Sequence, residues 1–597
     1  MLDANAAGAT CGSRPAGCLS LAHLQRRPFA CYVARQTNVN ATMKTLPSCL
    51  LALVLLPGLS RAALPTPDPD DGAINLPPGF RALVVADNLN RDRTGGKNND
   101  VLRFLSIAPN GDVYAKYHRN GLVTLSDTNG DGRADVIQKF GSGPGTGVAV
   151  RGGWLYYSTR TGVYRYQYTP GELVPKGEPE TIVAGLPAEN AHDAKSFAFD
   201  DQGRMLVEVG SPYNVYSKPD RQLGAKGMDA TEFLKTHGGF WRFDPDKLNQ
   251  TLADGFHFST GHRHSLALAW QPVLKQFFMV MMGRDNLNTV APEFYDELDN
   301  AERDAEEMHL LREGVNLGWP YTYWDPIKKA RMVGPEFGGD NRKRDENPAY
   351  DKPVIAFPAH WAPLQMAFYS GTQFPEKYRG GMFIAFHGSW NRAPRSQQGY
   401  KVVYVPFDKD GMPTGRYETF ADNFAGREEF VSTRDARFRP CGVAVGPDGS
   451  LYIGDTEKGR LWRVIYTGET NALARRTVAA ALPNFIAPDD HSRGAQLFQQ
   501  ICAACHMPDG SGVSGLQPSL VGSAVVAGDP NTLIRVLLDG PAKALPADRV
   551  KYANQMPPFA AAFNDNDIAE VLSFARRVFA KGTAQITPEQ VAAQRKP

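Results

Sequence analysis

The chain has 597 residues, with 65 Lys plus Arg against 63 Asp plus Glu and a formal net charge of +2 at pH 7. That balance sets up no global field toward nucleic acid or an anionic membrane surface, and it leaves small neutral substrates unhindered. Length alone would allow about four domains, but propellers and barrels use several hundred residues on one core, and two unequal domains fit the patterning better.

In chain order, the first apolar run (50–59) follows Lys44 and precedes Ser60-Arg61-Ala62-Ala63. This is the three-part layout of a secretory signal, too short to span a bilayer. It begins at an internal Met43 after a polar, Arg-rich stretch, so Met43 is expected to be the true first residue, with cleavage after Ala62 or Ala63. Residues 1–63 are therefore read as an upstream extension and signal peptide (signal about 43–62), and the mature protein as periplasmic or secreted with no transmembrane segment. Four cysteines (Cys11, Cys18, Cys31, Cys49) lie before the cut, and only Cys441, Cys502 and Cys505 follow it, which excludes a disulfide framework. Cys441 reads as a small core residue.

From about residue 80 to 467, one unit recurs: an apolar strand, a turn carrying Gly, a second apolar strand. Clear copies are 104–117, 147–159, 197–210 and 443–455, with looser ones at 266–285 and 366–387. Glycine supplies the positive φ of a tight hairpin, and radial repeats of four-stranded blades recur every ~40–50 residues. Six copies predict a six-bladed β-propeller over 64–467, its loops converging on one end of a central channel. Within it, Asp127, Asn129, Asp131 and Asp135 alternate around Gly130 and Gly132 like an EF-hand loop, but Gln138 stands where the bidentate glutamate belongs. The pattern admits a weak structural calcium or an ion-free acidic turn.

Patterning lapses over 468–489, the expected linker, and 490–597 reads as an all-α cytochrome c domain. Its signature is Cys502-Ala503-Ala504-Cys505-His506. At the end of a helix over 492–501, two thiols three apart reach both haem vinyl groups while the adjacent imidazole meets the iron. The second axial ligand is expected from Met556, because Met507 adjoins His506, no later methionine exists and His491 precedes the motif. A His/Met pair raises the reduction potential into a range useful for accepting electrons. A closing helix is predicted over 566–579 from the spacing of Ile568, Val571, Leu572, Ala575 and Phe579. This segment resembles class I cytochromes c, which implies electron transfer, attachment of haem c outside the cytoplasm, and a carbonyl at Pro518 that orients the haem-ligating histidine.

The propeller has no G-x-G-x-x-G turn opening a helix, so another organic redox cofactor must supply the haem. Gly261-His262-Arg263, Asn316-Leu317-Gly318-Trp319-Pro320, Phe386-His387-Gly388-Ser389-Trp390-Asn391-Arg392 and Arg437-Phe438-Arg439-Pro440 resemble the soluble glucose and sorbosone dehydrogenases that use pyrroloquinoline quinone. The resemblance covers about 75–467. It implies His192 as general base toward the substrate hydroxyl, a role that suits a neutral imidazole. It places Arg263 beside the hydride-accepting quinone carbonyl and makes Arg437 and Arg439 clamps on the quinone carboxylates. Alternation would set those two on one face of a strand. Arg392 stands in for a family lysine missing from 386–392. Calcium is implied on the backbone carbonyls of Gly283 and Arg284, polarising the quinone as a Lewis acid. Arg284 replaces a proline of the glucose enzymes and His264 their asparagine; both departures resemble the sorbosone branch.

The function these readings imply is oxidation of a sugar, alcohol or aldehyde. Electrons would pass through haem c to an external acceptor such as a soluble cytochrome, a copper protein or an oxidase. Propeller shape alone also admits a quinone-free, lactonase-like hydrolase, or a carbohydrate-binding propeller with an electron-relay tail.

Overall fold

The computed structural model describes residues 64–90, 100–189, 191–468, 492–506, 510, 517–547, 549, 552, 556–580 and 585–595. The expected signal peptide, its cleavage site and nearly all of the expected linker lie outside them.

Each of the six predicted hairpins forms the first two strands of one blade. The pairs are Leu102–Ile107 with Val113–Tyr117, Val148–Arg151 with Trp154–Ser158, Phe197–Phe199 with Met205–Val209, Ala267–Gln271 with Gln276–Met281, Pro363–Phe368 with Met382–His387, and Pro440–Val445 with Leu451–Asp455. In blade 1 the turn closes with Ala108 N–H donating to Asp112 O at 2.8 Å, and Gly111 takes φ +95°, a conformation an L side chain resists. A burial gradient runs outward: every residue of Val113–Tyr117 is buried, while the outermost strand, Val136–Phe140, has none that is. Apolar content fades with distance from the axis because only the inner strands are covered on both faces.

Blade 6 is completed by the strand Phe80–Ala86 from the start of the described chain, which pairs antiparallel with Leu461–Tyr466 and joins the two ends of the domain. A close approach of backbone secures the junction: Trp462 Nε1–H donates to Gly72 O at 3.0 Å, and a Cβ on Gly72 would lie 2.5 Å from that indole. Blade 3 gains a short parallel strand, Val315–Asn316, beside Phe256–Thr260. Strand polarity then locates the functional end. The connection before the first strand of a blade and the one after its second strand open at the same end of the ring, here called the mouth. His192, Arg263, His360, Arg437 and Arg439 precede first strands; Ser211, Asn214, Gly283 to Asp285 and Asn391 follow second strands.

The C-terminal segment is helical. The leading helix runs from Arg493 through His506, longer than predicted, with a π-type turn at Phe498–Cys502. It packs on Asp565–Phe579, which starts one residue before its predicted position. Gly494 permits the crossing, since a Cβ there would meet Glu570 O at 2.2 Å. Asn564 caps the closing helix through Asp567 N–H at 2.8 Å, worth about 1 kcal/mol. Acids occupy its first turn and Arg576 and Arg577 its last, in the sense the helix dipole favours. Among the described residues no helix is long and apolar enough to cross a membrane.

Candidate active site

Two imidazoles and a guanidinium form the centre of the mouth. His192 lies in the connection before the blade 3 strand Phe197–Phe199, with a left-handed φ of +52° that a non-glycine residue adopts only under constraint. Its Nδ1 is 2.5 Å from Ser211 O. A carbonyl only accepts, so Nδ1 carries the proton and Nε2 keeps its lone pair. The ring stacks on His264, centroids 4.5 Å apart, and His264 Nδ1 is 3.0 Å from Oε1 of the buried Glu208. Burial first, then the nearby Arg263 and His264, hold the His192 pKa well below the ordinary 6.5, so the ring is neutral at neutral pH.

Arg263 is fixed on three sides. Its Nε donates to Asn214 O at 3.2 Å, and Nη2 donates to Asn214 Oδ1 at 3.1 Å and to Asp285 Oδ2 at 2.6 Å. Trp319 Nε1–H also reaches Asn214 O, at 3.0 Å. Asp285 further accepts from Arg221 Nη1 at 2.8 Å and Asn391 Nδ2 at 2.5 Å. Burial works to raise the Asp285 pKa, but Arg263 and its other partners prevail and hold the carboxyl far below the usual range. The structure thus brings together His192 and Arg263 and adds Asn214, Glu208 and Asp285. Asn391 sits inside a quoted motif and Asp285 directly follows the Gly283–Arg284 pair, whereas nothing in the sequence singled out Asn214 or Glu208.

The Gly283–Arg284 turn is built around close backbone approach, since a Cβ on Gly283 would meet Asp304 O at 2.6 Å. Gly283 N–H donates to Glu306 Oε2 at 3.1 Å and Arg284 N–H to Asp304 Oδ2 at 2.8 Å, while the two carbonyls accept no hydrogen bond from described residues. Burial pushes Glu306 up to about 8 and Asp304 well above its ordinary value, outweighing Arg263, which acts to lower both, and Arg284, which acts to lower Asp304. The Arg284 side chain turns away to a buried bidentate pair with Glu336, at 2.5 and 2.6 Å.

Two expectations are corrected. Arg437 and Arg439 lie before the strand Pro440–Val445, not within it, and Arg437 is exposed while Arg439 is half-buried. Arg439 alone faces the mouth, donating from Nε to His387 O at 3.1 Å and from Nη2 to Gly388 O at 2.8 Å. Arg392 is buried and bound to Ser396 O, Ala301 O and Glu302, so its guanidinium is a structural tie. In the loop of Asp127, Asn129, Asp131 and Asp135 the side chains accept from its own N–H groups, with Asp127 Oδ1 at 2.7 Å from Gly130 N, and no three metal-holding acids, histidines or cysteines converge among the described residues.

In the helical segment, His506 Nδ1 is 2.9 Å from Pro518 O, the contact implied by the cytochrome resemblance, which leaves Nε2 free for a metal. Cys502 is partly buried and Cys505 exposed. Half-buried Met556 packs against the same apolar cluster as Cys502, on a segment pinned by Phe559 N–H to Leu537 O at 2.8 Å. Cys441 is buried, donates to Arg103 O at 3.3 Å, and has its thiol pushed up to about 12 by burial, the inert core residue expected.

Fold and site together define a propeller oxidoreductase joined to a c-type cytochrome. The chain belongs to the family described as TrAA12-like, whose model matches residues 75–467, and a second model, described as cytochrome C oxidase, cbb3-type, subunit III, matches 489–574. A pyrroloquinoline quinone-dependent sugar dehydrogenase of Hypocrea jecorina is 22% identical over 369 residues, covering 57% of this chain and 79% of that protein. A gluconate 2-dehydrogenase cytochrome c subunit of Pantoea cypripedii is 38% identical over 112 residues, 18% of this chain and 25% of that one. An uncharacterized protein of Borreliella burgdorferi, 27% identical, is matched over 48% of this chain and 64% of its own length. The calcium structure of Trichoderma reesei Carbohydrate-Active Enzymes Family AA12 superposes with a TM-score of 0.53 at 18% identity, covering 66% of this chain and 97% of that one, which establishes the fold.

Proposed function

We propose that this chain oxidises a sugar, or a related alcohol or aldehyde hydrate, at the propeller mouth and relays the electrons through its own haem to an external acceptor. One observation carries the reading: His192 presents a neutral imidazole with Nε2 free, its other nitrogen fixed on Ser211 O, and it stands among groups tied to a fixed arginine. Pyrroloquinoline quinone, when bound, supplies the two-electron acceptor, and haem c the single-electron relay. His192 Nε2 takes the substrate hydroxyl proton as the carbon is oxidised. Arg263, locked by Asp285 and Asn214, offers a positive charge that needs no reorganisation to stabilise negative charge developing beside it. Arg439, with Nη1 only 3.9 Å from Glu457 and otherwise uncompensated, fits an anionic group of the cofactor. The carbonyls of Gly283 and Arg284, which accept no hydrogen bond from described residues, are the groups that would hold calcium, with the carboxyls of Asp304 and Glu306 hydrogen-bonded to the N–H groups of the same turn. Cys502 and Cys505 would tether the haem, with His506 and Met556 as axial ligands.

The test uses the full chain carrying haem, supplied with the quinone and calcium and offered a panel of aldoses, alcohols and aldehydes. Substrate-dependent reduction of the haem absorption band is expected, and chelation of calcium should suppress it. A protein that binds quinone and sugar but never reduces its haem is not the proposed dehydrogenase.

A further inference from the structure

The end of the described chain is tied back onto the segment that carries Met556. A short helix, Pro588–Gln594, is capped by Thr587: Gln590 N–H donates to Thr587 Oγ1 at 3.3 Å, and Thr587 N–H donates to Gln590 Oε1 at 2.9 Å. A terminal segment stays loose unless something holds it. Here Ile586 and the fully buried Val591 enter the apolar cluster against which Met556 packs. Ser573 Oγ, on the helix Asp565–Phe579, donates to Ile586 O at 3.1 Å and accepts from Ile586 N–H at 2.9 Å.

That docking brings Arg595 to the Met556 segment. Its backbone N–H closes the helix on Val591 O at 3.2 Å, and all three nitrogens of its guanidinium donate to one stretch of chain: Nε to Asp565 Oδ1, Nη1 to Ala560 O and Nη2 to Phe563 O. A lone ion pair with the part-exposed Asp565 would contribute little, but the two carbonyls turn the contact into a clamp. From another side Leu537 O accepts Phe559 N–H at 2.8 Å, and the Phe559 and Phe563 rings stack with centroids 5.4 Å apart. Only Pro557 and Pro558 stand between Met556 and Phe559. Their rings fix φ, so this stretch transmits a displacement where a flexible one would absorb it. The place of Met556 is therefore set by whatever holds residues 559–563.

We propose that Arg595 is a positioning residue that holds Met556 on the haem iron, so that the terminal helix sets how firmly the iron keeps its second axial ligand. This rests on the ligand assignment made with the function proposed above. Added imidazole binds the ferric iron only while Met556 is off it, so its apparent affinity measures how often the segment lets go. The full chain carrying haem, in the ferric state, is titrated with imidazole at the haem band. Met556→Ala removes the competing ligand and sets the upper limit. Arg595→Gln is expected to raise imidazole affinity about 10-fold over the wild type, the change that one lost charge-assisted hydrogen bond makes in an opening equilibrium. Its midpoint potential should move in the same direction as that of Met556→Ala. Arg595→Lys keeps the charge without the planar fork and should fall between the wild type and Arg595→Gln. Arg493→Gln removes the pair with Asp567, at 2.9 Å on the closing helix, and should leave imidazole affinity unchanged. The haem band and melting temperature report folding; if Arg595→Gln does not fold, Arg595→Lys carries the test and should bind imidazole several-fold more tightly than the wild type. Unaltered imidazole affinity in the folded Arg595 variant, with that of Met556→Ala raised, overturns the clamp and leaves the axial ligand standing. An equal rise in Arg493→Gln makes Arg595 a general support of the fold and also overturns it. If Met556→Ala leaves imidazole affinity unmoved, the axial assignment itself fails and takes the clamp with it.

Discussion

The propeller mouth and the helical segment each hold a histidine in the same way and present it to different chemistry. In both, a backbone carbonyl fixes the Nδ1 proton, Ser211 O for His192 at 2.5 Å and Pro518 O for His506 at 2.9 Å, which leaves the lone pair on Nε2. Around His192 stand Arg263, His264 and Asp285, a charged setting in which a lone pair can accept a proton. His506 follows two cysteines on one helix, and Cys502 and Met556 pack against one apolar cluster. Under the proposed function, one backbone device serves proton transfer at His192 and ligation at His506, and the neighbours decide which.

The most severe test of that contrast is His192→Ala. Substrate-driven haem reduction should fall by about 100- to 10,000-fold, the range for a lost general base, with the haem spectrum unchanged. Undiminished turnover would show that the two histidines do not differ in this way. Next in size is Gly494→Val in the helical segment. Its side chain would meet Glu570 O, where even a Cβ stands at 2.2 Å, so the helix pair must part at a cost of about 1–3 kcal/mol. Melting followed at the haem band should drop by several degrees while catalytic residues stay untouched; an unchanged melt would mean the crossing is looser than this geometry. Smaller again, Met556→Ala should lower the haem potential by on the order of 100 mV without affecting quinone binding. Redox titration reads it, and an unmoved potential would transfer the axial role elsewhere.

The same contrast explains what was legible in advance. The haem motif and the six hairpins were readable because each is local: five consecutive residues, or two strands and the glycine turn between them. The mouth is assembled from connections far apart in the chain. Arg263 was recognisable, but its lock on Asn214 crosses 49 residues and had no local mark. Alternation misplaced Arg437 because it assumed a strand already running before Pro440. Arg392 looked like a free cation because Glu302 and the Ala301 carbonyl, 90 and 91 residues earlier, were out of view. The Asp127 loop carried the right spacing of oxygens, yet spacing does not say whether those oxygens face an ion or their own backbone.

The mildest prediction concerns pH and separates His192 from an ordinary surface imidazole. A base with the unperturbed pKa of 6.5 would be half protonated at that pH, and kcat/KM would already have halved there. His192 is held well below this value by burial, then by Arg263 and His264, so the neutral form persists as pH falls and kcat/KM should stay level through 6.5, declining only beyond it. Stability moves in the matching sense. Between the depressed folded pKa and 6.5 the unfolded chain binds the additional proton, so the contribution of this buried neutral ring is complete above 6.5 and is lost as pH drops toward the folded value. A rate profile bending at 6.5 would place His192 in open solvent and detach it from Arg263 and His264.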